Sequence, residues 1–342
     1  MECPEYHKEE YVLAMKILFM FQTPLLCFIT YCVIFHSTAA MKNFRKMLLH
    51  QIFWLFLNEL VVAILVVPVN CSPAGGTSAN GFLNYLGVPP YVQYHLQMSV
   101  LGGVVASTIS MLENRFNVAM PPYSIFKINN KIRLVVFIAR LVFFTNLAVP
   151  MILFADTDQT AVKQQYTKMY PCLAVELNRP ETFLFAQQVY GPLKYVLLGI
   201  VVLGVSETLF YSIGTFWTLR KPHEILMISK STRLLQKKFF KAVLIQEIVP
   251  WVFAYQPKNV IALYVAITGV TSSNLDLNNL STFLMTTHGI WASLSLLIVV
   301  NPYRQFVLGI FGIRQNRVAL IHLTSTSGIH SSSNQRISIA PI

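Results

Sequence analysis

The sequence predicts an all-α integral membrane protein, a bundle of seven membrane-crossing helices, and three observations predict it. Of 342 residues, 54% are hydrophobic and only 12% charged, against about 25% charged in a soluble domain. Seven apolar runs are long enough to span hydrocarbon, each needing roughly 20 residues. Lys and Arg gather in alternate linkers, as cytoplasmic loops do.

The runs are approximately 17–35, 47–69, 92–118, 134–154, 195–217, 242–268 and 282–301. The sixth contains Pro250 and Pro257, so a single bent span is expected, because proline removes a helix hydrogen bond and crowds the preceding turn. The segments after runs one, three, five and seven hold 18 of the 26 Lys plus Arg. That places residues 1–16 outside, the helical domain at 17–301 and a partly disordered, cytoplasmic, hydroxyl-rich tail at 302–342. The residues before the first run, Met1 to Glu10, are acidic rather than basic, so the first helix itself is expected to direct insertion.

The third run, VQYHLQMSVLGGVVASTISMLENRFNV, is expected to be the central helix. Gly102, Ala106 and Ser110 recur at four-residue spacing with Gly103 and Ser107 beside them, a small ridge that lets neighbouring helices approach closely. Gln93, His95 and Gln97 crowd its first third and need partners that lipid cannot offer. With His288 and Trp291 of the seventh run they are the candidate ligand-pocket residues, although a lone helical His is more often a satisfied core residue. At the other end stand Glu113 and Arg115, read either as a snorkelling helix-end pair or as a switchable contact that holds the bundle closed.

Four charges fall inside runs: Glu59, Arg140, Glu207 and Glu247. Burial of an unpaired charge is costly, so Arg140 is expected to pair with Glu59 or Glu207. Cys3, Cys71 and Cys172 fall on the outer side, with Cys71 to Cys172 the first choice among three pairings. Asn70-Cys71-Ser72 and Asn279-Leu280-Ser281 are glycosylation sequons on that same side. No Cys/His spacing suggests a metal. The seventh run lacks the lysine a retinal Schiff base needs, so no cofactor is expected, and no hydrolase or phosphate-loop motif suggests an enzyme. The basic stretch from Arg220 to Lys241, which includes Lys237 and Lys238, suits anionic membrane lipid or an acidic partner, not nucleic acid.

Three sets of motifs carry a resemblance. They are Met111-Leu112-Glu113-Asn114-Arg115; Leu235-Gln236-Lys237-Lys238-Phe239-Phe240 leading into Ile245-Gln246-Glu247-Ile248-Val249-Pro250; and His288-Gly289 followed by Asn301-Pro302-Tyr303-Arg304. In this order on a seven-span frame, the sequence resembles the nematode serpentine receptors of class H. The resemblance implies a G-protein-coupled chemoreceptor in the plasma membrane of a sensory cilium, detecting an odorant or pheromone and activating a heterotrimeric G protein. By the same analogy Glu113, Arg115, Lys237, Lys238, Tyr303 and Arg304 are the candidate coupling residues. Two features depart from the rhodopsin-like pattern: Arg115 follows the acid by two positions, and Tyr303 follows Pro302 directly. A ligand-gated cation channel subunit of the insect odorant-receptor type also has seven spans, but with the N-terminus inside, against the charge distribution. A small-solute transporter is disfavoured because no internal repeat appears.

Overall fold

The computed structural model describes residues 8–38, 41–71, 75–153, 158–185, 187–221, 229–257, 260 and 275–312. Helix α1 covers Lys8–Phe35, and α2 covers Lys42–Leu60 and is prolonged by a π turn, Val61–Leu65. A short α3, Phe82–Tyr85, precedes α4, Pro90–Ala119. Then come α5, Asn130–Thr145, and its short continuation α6, Ala148–Leu153. The connection that follows contains α7, Gln159–Met169, and α8, Ala174–Leu177. Next are α9, Gln187–Arg220, and α10, Lys230–Pro250, the latter prolonged by a π turn, Trp251–Tyr255. The last crossing is split into α11, Leu275–Thr286, and α12, His288–Val299, before α13, Asn301–Ile310, closes the described chain.

Six of these paths are long and apolar enough to cross a membrane over their described residues. The α10 path is the seventh, and its predicted continuation through 268 lies mostly outside the described residues. The regular helix α10 ends at Pro250, where a kink was expected. It widens into a π turn, which frees backbone groups without breaking the path. Helix α1 begins well before the apolar run at Ile17: Tyr11 and Met15 are buried and the Tyr11 hydroxyl donates to the carbonyl of Pro68 at 2.9 Å.

Helix α4 is the centre of the bundle. Of its apolar window 56% is buried, against 11% for that of α9, whose exposed apolar side chains face lipid. The small ridge explains this position. A Cβ at Gly102 would overlap the carbonyl oxygen of Phe144 on α5, and one at Gly103 would overlap the ring of Trp54 on α2. Only hydrogen at these two positions permits both approaches.

A small antiparallel sheet at one end of the bundle was not among the elements expected. Strand β1, Pro68–Asn70, pairs with β2, Gly76–Ala79, which pairs with β3, Thr182–Leu184. Strands this short carry no usable alternation. The sheet joins the first connection at this end to the long mixed-charge one, whose helix α7 is capped by Asp158 accepting from the amides of Thr160 and Ala161. Lys8 reaches Glu176 at 3.5 Å, and Arg179 reaches the same carboxylate at 2.9 Å. Between the α2 π turn and β1, Val67 holds a φ of 44°, a left-handed conformation that a β-branched residue rarely adopts. Its strain is held in place by Asn80, whose amide donates to the carbonyls of Val66 and Val67.

Candidate functional site

At the end of the bundle opposite the sheet, four charges form a ladder across α4, α5 and α9. Arg133 and Arg140 lie seven residues apart on α5 and share a face. Arg133 donates to Glu113 through Nε and to Asn114 through Nη2, both at 2.8 Å. Arg140 sits 3.6 Å from the other Glu113 oxygen and donates to Ser110 at 3.2 Å. It also pairs with Glu207 on α9 and reaches Tyr211, one turn further on, at 3.4 Å. Glu207, not Glu59, is therefore the partner of Arg140, with Glu113 as a second acid.

Arg115 does not join this ladder and points away from Glu113, so of the two readings of this pair the one that makes them a single switchable contact is corrected. Residues two apart on a helix point to opposite sides. The Arg115 guanidinium lies 3.9 Å from the centre of the Phe44 ring on α2 and 5.4 Å from that of Phe239 on α10. Its Nε and Nη2 are buried without hydrogen-bond partners among the described residues. Cation–π attraction of about 2 kcal/mol or more when desolvated holds such a group in place without satisfying its donors. Nearby, fully buried Tyr303 shares a hydrogen bond of 2.8 Å with Ser37 and fastens α13 to the end of α1. Arg304 is exposed and donates to nearby Asn301, and Lys237 and Lys238 are exposed on α10.

Two polar clusters occupy the middle of the bundle. In one, Gln51 of α2 donates to Glu247 of α10 at 2.8 Å and to Thr108 of α4 at 3.1 Å, while Gln246 donates back to Gln51 at 2.7 Å. In the other, Glu59 is 2% exposed and neither carboxylate oxygen has a hydrogen-bond partner among the described residues. Gln22 of α1 lies beside it and donates weakly to the carbonyl of Thr286 at 3.4 Å. A Cβ at Gly289 would overlap both Glu59 and Gln22, so this glycine is what allows the two side chains to meet α12. The π turn after Glu59 and the break at Thr287 flank the cluster, and π turns recur at functional sites.

The predicted pocket residues are not gathered in one place. Gln93 is fully buried and clasps the preceding turn, donating to Asn84 at 2.9 Å and the carbonyl of Val88 at 2.8 Å. His95 approaches Ser99 at 3.4 Å, and Ser99 bonds the carbonyl of Thr145, so this pair faces α5. Gln97 keeps a buried, unpartnered Oε1. His288 is buried at the α11/α12 break, and Trp291 stacks on Phe253 of the α10 π turn at 4.5 Å. Sequence reasoning missed Gln22, Gln51 and Arg133. The first two were polar residues inside apolar runs, a signal already given weight for Glu59.

The first-choice cysteine pairing is also corrected. Cys71 is a buried free thiol while Cys172 is disulfide-bonded, so they do not pair. Cys3 lies outside the described residues. Burial, with a smaller contribution from the Glu176 carboxylate, pushes the Cys71 thiol up to about 12. Folded protein is therefore expected to keep Cys71 protonated and unreactive to maleimide at pH 8, with labelling appearing only on denaturation; rapid labelling of the native protein would contradict this burial. Of the two sequon asparagines, Asn279 is 2% exposed, and half-buried Asn70 donates its amide to Thr282 at 2.8 Å. A glycan needs that nitrogen in solvent.

Comparison with known proteins fits this geometry. The family model for the "Serpentine type 7TM GPCR chemoreceptor Srh" matches residues 6–313. Serpentine receptor class H-72 of Caenorhabditis elegans is 24% identical over 338 residues, covering 94% of this chain and 90% of that protein. The crystal structure of squid rhodopsin superposes with a TM-score of 0.53 at 10% identity, covering 90% of this chain and 87% of the other, a likeness of fold alone. An Srh match that runs from the first helix through α13, on a bundle of rhodopsin-like fold, leads to one conclusion: the chain belongs to the Srh family of serpentine seven-transmembrane chemoreceptors, a membrane receptor family and not an enzyme family.

Proposed function

We propose that this chain is a G-protein-coupled chemosensory receptor of a sensory ciliary membrane, with its sheet end and N-terminus outside. An odorant or pheromone settles in the sheet half of the bundle. It shifts the population toward a state in which the opposite end admits a heterotrimeric G protein. The single observation that carries this reading is the Glu59 cluster: buried, acceptor-rich and unsatisfied, beside helices interrupted at the same level. Groups left without partners at that depth are expensive unless a ligand completes them. The coupling residues in this reading are Arg115, whose buried donors lack acceptors, and exposed Lys237, Lys238 and Arg304 around it. Glu113 and Tyr303 act through the helices they fasten.

The test is an odorant panel applied to cells that express the chain with a G-protein activation sensor. A responding cue is expected to lose its signal when G-protein activation is blocked. Arg115→Ala is expected to lower signalling at least about tenfold, equivalent to about 1.4 kcal/mol, with surface expression unchanged. An evoked cation current that persists under the block would overturn the reading in favour of a channel.

A further inference from the structure

Where α4 and α9 end, opposite the sheet, a groove of about 430 Å³ runs along the outer face of α9. Phe210, Gly214, Trp217 and Lys221 line one wall and recur at the spacing of a single helical stripe. Phe116 and the turn after α4, with Phe126, form the other. Gly214 keeps the floor open, since a Cβ there would press on the Phe116 ring. Trp217 and Phe210 are each more than half exposed, on the same helix as exposed Val202, Leu209 and Ile213, so the groove opens sideways into the bilayer.

Among the described residues its charge is one-sided. Lys221 closes the end of the stripe, and Arg220 beside it lies over the Phe216 ring at 4.2 Å. Arg233 donates to the carbonyls of Leu219 and Arg220, bringing a third cation to the same corner. The described acids lie elsewhere: Glu113 is bound in its ladder, Glu59, Glu207 and Glu247 are within the bundle, and the others are at the sheet end. An apolar channel parallel to a membrane helix, closed by cations at the interfacial level where Trp and Lys settle, matches one class of molecule.

We propose that this groove is a binding site for an anionic phospholipid, with an acyl chain along Phe210, Gly214 and Trp217 and the phosphate against Lys221 and Arg220. A neutral lipid would fill the channel but leave the cations without a counter-charge, so headgroup selectivity is the property that distinguishes a site from ordinary lipid contact.

Trp217 supplies the readout. Purified receptor is placed in nanodiscs of neutral lipid containing brominated phosphatidylserine or, at equal mole fraction, brominated phosphatidylcholine. The Trp217 contribution is taken as the difference between wild type and Trp217→Phe. Quenching by the brominated serine lipid is expected to be at least about threefold stronger than by the choline lipid. Lys221→Glu, at an exposed position, is expected to remove that preference while leaving quenching by the choline lipid unchanged. Water-soluble glycerophosphoserine is expected not to compete. Equal quenching by the two lipids overturns the proposal, as does a preference that survives Lys221→Glu, or displacement by the soluble headgroup. Absence of quenching by either lipid would assign the groove to a protein partner and overturn it as well.

Discussion

Gly102→Val is expected to destabilise the receptor strongly. A Cβ at this position overlaps the carbonyl oxygen and carbon of Phe144, and it also meets the amide of Thr145. These are backbone atoms, which cannot swing aside as a side-chain tip would. The two helices would have to part, and the cost does not stop at the clash. Ser99 donates to the carbonyl of Thr145 at 2.6 Å, and that bond is lost when α5 retreats. Overpacking costs about 1–3 kcal/mol, and a helix–helix hydrogen bond in a membrane adds roughly 0.6–1.7 kcal/mol. The total is a large share of the ~5–15 kcal/mol that holds a typical protein together. Gly199 on α9 is the control, since nothing lies within 4 Å of its added Cβ. Gly199→Ala is expected to be neutral or stabilising by up to about 1 kcal/mol. Thermal unfolding in detergent and surface expression check both; Gly102→Val melting within a degree or two of wild type would show that α4 and α5 are not held at contact there.

Glycine at 102 and 103 was visible in the sequence as half of a small ridge, and its structural consequence followed. So did the crossing paths, because an apolar run of twenty residues in a sparsely charged chain has few other uses. What the sequence did not display is whatever depends on distant partners. The strands β1 and β3 lie more than 100 residues apart in the chain and offer three residues each, too few for a period of two to stand out. The break at Thr287 has no proline to mark it. It becomes intelligible only once Glu59 and Gln22 are seen pressing on Gly289.

The same division runs through the site. Charges inside apolar runs were conspicuous: Arg140 and Glu207 belong to the ladder, and Glu59 and Glu247 to the two mid-bundle clusters. Their pairing was not readable, because a linear sequence does not state which helices are neighbours. Arg140 meets Glu207 since α5 packs near α9, while Glu59 looks toward α1 and α12. Proximity in sequence misled twice. Glu113 and Arg115 are two residues apart but half a turn out of phase, and the Asn279 sequon is a local triplet that carries no information on burial.

Arg140→Met is expected to be the most damaging single change in the charge ladder. The Arg140 side chain is 4% exposed and is the only group joining Glu113 to Glu207 among the described residues. Its loss leaves Glu113 with Arg133 alone and Glu207 with no cation. Removing one partner of a buried pair costs about 3–5 kcal/mol, largely because the abandoned charge stays desolvated. Glu207→Met is expected to cost less: its side chain is 27% exposed, and Arg140 retains Glu113 and Ser110. In the double variant Arg140→Met/Glu207→Met, the stranded carboxylate is gone and two apolar side chains face each other between α5 and α9. Its destabilisation should therefore fall short of the sum of the singles by roughly 0.5–3 kcal/mol, the range for residues in direct contact. The four unfolding free energies, measured in one detergent at one pH, close this cycle. Strict additivity would mean that the ladder is a set of independent surface contacts rather than a coupled bridge across three helices.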